Sequence, residues 1–150
     1  MGILSSGKEC IVRTLGYHMY PVELVYIDDE IEFHKIMTKF KDPIPFPPSG
    51  AAITIRYDTV SHGTIIIVVL GDYSDQLNSA TDSILTHEAV HVWQFVKQAI
   101  CEKRPGAECE AYAIQFYTRY LTTEFYYRRE QELRKAKAAK VKRKAARFAK

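Results

Sequence analysis

The chain has 150 residues and a mass of 17.3 kDa, 47% hydrophobic and 26% charged. These values suit one soluble globular domain with a single core and exclude a fibrous repeat or a wholly disordered chain. The formal charge of +3 conceals an asymmetry: residues 128–150 carry eleven Lys/Arg against two Glu, which leaves an acidic body of net −6 and a basic tail of net +9. The longest apolar run, Ile65–Leu70, is far short of the roughly twenty residues that cross a bilayer, so no membrane span is expected. Met1–Cys10 has no basic start followed by an apolar stretch, and three cysteines without paired spacing suit a reducing compartment. The expected location is therefore cytoplasmic.

In chain order, Val22–Ile27 is rich in β-branched and aromatic residues and is predicted as a strand closed by Asp28-Asp29. Ile31, Phe33, Ile36, Met37 and Phe40 follow at roughly helical spacing, with Asp28 or Asp29 as the cap. Lys41–Gly50 holds four prolines and must be a loop. Ala52–Tyr57 alternates as a half-buried strand with one wet face, whereas Thr64–Leu70 is apolar throughout and reads as a central strand. His62-Gly63 between them points to an antiparallel hairpin. A long helix is predicted from about Leu77 to Ile100, and Pro105-Gly106 separates it from a second that starts near Ala107 and runs toward the tail. Trp93 is expected in the core, as are most of the tyrosines of the last helix. Cys101 and Cys109 are expected to be idle thiols.

The first long helix carries His87-Glu-Ala-Val-His91, an HExxH pattern. Histidines four apart share one helical face, so two imidazole nitrogens can converge on one ion. A catalytic zinc takes three protein ligands and a water, and Glu88 is placed to reach that water as general base. Ile84, Leu85, Val92, Phe95, Val96 and Ala99 supply an apolar face to hold the motif against a core. The next helix offers Glu108 and Glu110, about 200° apart around the axis, so only one of them can face a metal.

The combination HEAVHVWQ, a Pro-Gly break and ECEAYAIQ, over about residues 81–117, resembles the gluzincin metallopeptidases, particularly small zinc peptidases encoded by bacteriophages. The resemblance implies an α+β, minimal zincin-like fold: a sheet of about three strands, two consecutive metal-bearing helices and a long basic C-terminal helix or tail. It implies zinc held by His87, His91 and a downstream Glu, with Glu88 as the base of peptide hydrolysis. Glu108 begins an ExxA(Y) pattern similar to that of smaller zincins and is preferred; Glu110, eighteen residues after His91, has the spacing of thermolysin-like enzymes. Tyr112 stands where many relatives carry an acid or Asn, and it is a candidate oxyanion donor or partner of a histidine ligand, alongside Tyr117 and His62. Ala52–Tyr57 is the expected edge strand for extended substrate.

Residues 1–127 are thus expected to form a metallopeptidase domain and residues 128–150 a helical or disordered tail. The tail is either a solubilising end or a foot for nucleic acid or another polyanion. The competing reading is a non-catalytic zincin-fold component, for instance of a phage particle, acting in the virion or the host cytoplasm.

Overall fold

The computed structural model describes residues 20, 22–73, 78–100 and 106–148. The chain runs β1 (Val22–Ile27), α1 (Glu30–Phe40), β2 (Ala52–Thr59), β3 (Gly63–Leu70), α2 (Asn78–Ala99) and α3 (Ala107–Phe148). It is an α+β fold built on one three-stranded mixed sheet of order β1-β3-β2, with β1 parallel and β2 antiparallel to the central β3.

The all-apolar sequence of β3 explains its place. Alternate residues of a strand point to opposite faces, so only a strand covered on both sides can be apolar throughout. Ile66, Val68 and Leu70 join Leu85, Val92 and Trp93 of α2 and Tyr117 and Leu121 of α3. Ile65, Ile67 and Val69 join Phe33, Ile36 and Met37 of α1 on the other face. The sheet therefore lies between α1 and the α2–α3 pair.

Asp29, not Asp28, caps α1, its side chain accepting from the Glu32 backbone N–H at 2.7 Å. The helix ends at Lys41, which adopts the left-handed conformation with φ 54°. The β2–β3 hairpin is antiparallel as its sequence suggests, with Gly63 at φ 72° supplying a backbone conformation that costs glycine little.

β2 is an edge strand, half-buried along most of its length, and both of its faces have partners. Ile53, Ile55 and Tyr57 pack toward α1, while Thr54 and Arg56 reach α2 through hydrogen bonds to Glu88 and Gln98. The alternation in its sequence records two different neighbours, one apolar and one polar.

α3 is one continuous helix of 42 residues, about 60 Å long at 1.5 Å per residue. Its first half is held by Ala113, Tyr117, Leu121 and Phe125, a stripe at four-residue spacing buried against α2. Arg128 is the last strong anchor. Its guanidinium meets Asp28 and Glu32 at 3.0 Å each and donates to the Tyr26 carbonyl at 2.9 Å. Beyond it the helix carries almost no buried side chain, and Ala, Lys and Arg sustain it by propensity alone. The tail is thus a solvated helical rod, with no backbone break between 127 and 128. No helix among the described residues is long and apolar enough to cross a membrane.

Candidate metal centre

α2 lies along the side of the sheet that carries β2, and its HExxH residues divide between solvent and core. Val92, Trp93 and Val96 are buried and fix the helix rotation. That rotation leaves His87 exposed, His91 half-buried and Glu88 only 3% exposed.

The two imidazoles meet edge-on, with ring centroids 4.7 Å apart at 83° and Nε2 atoms 3.0 Å apart. Two zinc–nitrogen bonds of 2.0–2.1 Å meeting at a tetrahedral angle would hold these atoms about 3.3 Å apart, so the pair needs to open by only a few tenths of an ångström. His91 Nδ1 lies 3.0 Å from Gln94 Oε1. An amide oxygen only accepts, so this contact places the proton on Nδ1 and leaves the Nε2 lone pair facing His87. The side chain beside the His91 ring is thus Gln94, from the same helix, and not Tyr112.

Glu88 points under the edge strand. Thr54 Oγ1 donates to its Oε2 at 2.5 Å. Tyr73, just after β3, is also buried, and its phenol is raised above the ordinary tyrosine range, first by burial and then by the charge of Glu88. Two strand positions farther, Arg56 spans to Gln98 Oε1 at 3.0 Å and pairs with Asp58 at 2.9 Å. β2 is thereby tied along nearly three turns of α2, with Glu88 at one end of the seam.

The two downstream carboxylates behave differently. Glu110 faces α2 but is committed there: Lys97 donates to it at 2.6 Å and the Trp93 indole N–H at 3.4 Å. The hydrogen bond from Lys97 leads in holding its carboxyl below the usual glutamate range. Glu108 lies in the exposed first turn of α3. Among the described residues no group of three His, Cys, Asp or Glu side chains is arranged to hold a metal. The residues therefore fit zinc in part: two imidazoles converge, and the structure does not bring the expected third ligand, Glu108, to them. Glu110 is instead engaged by Lys97.

The expected oxyanion donors are also dispersed. Tyr112 is 66% exposed, Tyr117 is a core residue at 1%, and His62 lines a cavity on the other face of the sheet. Burial and the nearby Tyr20 push the Tyr117 phenol up, as befits a packing residue. Trp93 is buried, as its sequence position suggested. Cys109 is exposed, with Tyr20 Oη 3.9 Å from its Sγ, and Cys101 falls outside the described residues.

Thr54, Tyr73 and Gln94 are the site residues that sequence reasoning missed. Only Gln94 had a local signal, since a residue three positions after His91 shares its helical face. Comparison of the chain with family models, with curated proteins and with solved structures finds no match.

Proposed function

We propose that the protein is a zinc-dependent metallopeptidase-like hydrolase in which His87 and His91 hold the metal and Glu88 is the general base. The observation that carries this reading is the facing pair of Nε2 atoms one helical turn apart, with a buried carboxylate between them in sequence and directed under an edge strand. Glu108 is the proposed third ligand on the strength of its ExxA(Y) pattern; it stands in the exposed first turn of α3 and would have to move to the histidines, while Glu110 is engaged by Lys97. Zinc bound here would supply a water of lowered pKa and polarise a scissile carbonyl.

The chain's own residues supply the rest. Gln94 holds the His91 ring with its Nε2 lone pair outward. Thr54 engages one oxygen of the Glu88 carboxylate, and the other is the one that would take a proton from water and deliver it to the leaving amine. The outer edge of β2, which no strand among the described residues covers, offers backbone groups to an extended peptide. Incubating the zinc-loaded protein with a peptide library tests this directly. Cleavage that Glu88→Gln abolishes supports it; absence of cleavage by protein of full zinc content refutes the catalytic part.

A second reading, a non-catalytic component that engages nucleic acid, draws on a separate observation. Past Arg128 the α3 rod presents Lys135, Lys137, Lys140, Lys142 and Arg143 to solvent. Such a rod suits a polyanion, with affinity that falls steeply as salt rises. A polyanion-binding rod is compatible with a catalytic body in one chain; the two readings part only on whether the body cleaves peptides.

A further inference from the structure

A cavity of about 310 Å³ opens on the face of the sheet that α1 covers, away from α2 and the histidine pair. Its floor is apolar, formed by Val25, Ile36, Ile65 and Ile67. Its mouth is not: Glu23 comes from β1, Lys39 from α1, and His62 from the β2–β3 turn.

The strand register gives the mouth its width. Glu23 is paired with Ile65 on one side of β3, and Thr59 with Gly63 on the other. Strands are about 4.8 Å apart, so the backbones that bear Glu23 and His62 lie on opposite sides of β3, about two strand spacings from each other. Side chains from the two sides and from α1 thus converge on the mouth from different elements. Several half-buried charged side chains pair directly, as Arg56 does with Asp58, Lys97 with Glu110, and Arg128 with Asp28 and Glu32. Glu23, Lys39 and His62 form no such pair with one another, although they rim one cavity.

We propose that this cavity binds a free α-amino acid with an apolar or aromatic side chain, its ammonium on Glu23, its carboxylate on Lys39 and His62, and its side chain on the aliphatic floor. An apolar cavity with a few convergent polar groups at its rim is the usual form of a small-ligand site, and this one has the volume of a small ligand. A simple fatty or aromatic acid would leave the Glu23 carboxylate facing it without a cation. An amine would leave Lys39 and His62 without an anion. This site uses none of the histidine-pair chemistry and stands or falls independently of it.

The test is titration of the full chain with L-phenylalanine and L-leucine, followed by methyl and amide NMR shifts. 3-Phenylpropionate and phenethylamine serve as analogues that each lack one charge. The expected result is saturable shifts at Val25, Ile36, Ile65 and Ile67, with both analogues binding at least tenfold more weakly. Lys39→Ala, at an exposed position, should weaken phenylalanine binding at least fivefold with unchanged melting temperature. Glu23→Gln should reduce phenylalanine to the level of phenylpropionate; if that variant does not fold, the analogue series on the natural chain decides. No saturable shift with either amino acid, or equal binding of either single-charge analogue, would overturn the proposal.

Discussion

Thr54 Oγ1, on the edge strand, donates a 2.5 Å hydrogen bond to the buried carboxylate of Glu88 on α2, joining two residues 34 positions apart. Removing the donor while keeping the shape, Thr54→Val, leaves a buried carboxylate one partner short, which costs about 1–3 kcal/mol. Urea denaturation of Thr54→Val, Glu88→Gln and the double variant should show coupling between the two positions. Strictly additive effects would mean that the contact contributes nothing to the fold.

Two carboxylates should give opposite slopes to stability against pH. The Lys97 hydrogen bond and charge lower the Glu110 carboxyl, so its contribution is present above the ordinary glutamate value and is lost as pH falls through the lowered one. Asp28 is raised, because burial outweighs the opposing pull of Arg128. Its contribution is full below the ordinary aspartate value and declines as pH rises through the raised one. Melting temperatures between pH 3 and 7 should therefore show Glu110→Gln flattening the loss on the acid side, and Asp28→Asn flattening the decline on the way up.

Gly71 follows β3 where the proline loop folds back. A Cβ there would overlap the Pro48 carbonyl oxygen and stand 2.9 Å from that of Pro47. Since both obstacles are backbone, Gly71→Ala should destabilise by about 1–3 kcal/mol in chemical denaturation. Lys41→Gly, at the left-handed cap of α1, should act in the other direction by up to about 1 kcal/mol. A neutral Gly71→Ala would mean that the loop does not close on β3 as described.

The rod should be separable from the body, provided Arg128 is kept. Its contacts with Asp28, Glu32 and the Tyr26 carbonyl clamp α3 to β1 and α1. Truncation after Glu130 is expected to leave the melting temperature within a degree or two and to abolish salt-sensitive DNA binding. Arg128→Ala in the full chain is expected to destabilise the body by about 2 kcal/mol or more, since it leaves two half-buried acids unpaired. Unchanged DNA affinity after truncation would remove the tail from any role in nucleic-acid binding.

Much of the architecture is legible in local sequence. The apolar run of β3, the prolines after α1 and the helical spacing around HExxH each depend on a few neighbouring residues, and each element forms where its pattern lies. The parallel pairing of β1 with β3 was not legible, because strand direction is set by the α1 crossover and the sheet faces it covers. The site divides in the same way. The facing of His87 and His91 follows from helical periodicity. The partners of Glu88 and Glu110 come from β2 and the far end of α2, at separations where spacing carries no information. Lys97, six residues beyond the motif, decides which acid of α3 is already engaged.

The central claim is that the imidazoles of α2 hold a metal, and elemental analysis of zinc-equilibrated, dialysed protein addresses it most directly. Near one zinc per chain is expected in the natural protein, with loss in His87→Ala and His91→Ala, reduction in Glu108→Ala and retention in Glu110→Ala. Zinc at background level in the natural chain, or equal content after His87→Ala, would contradict it.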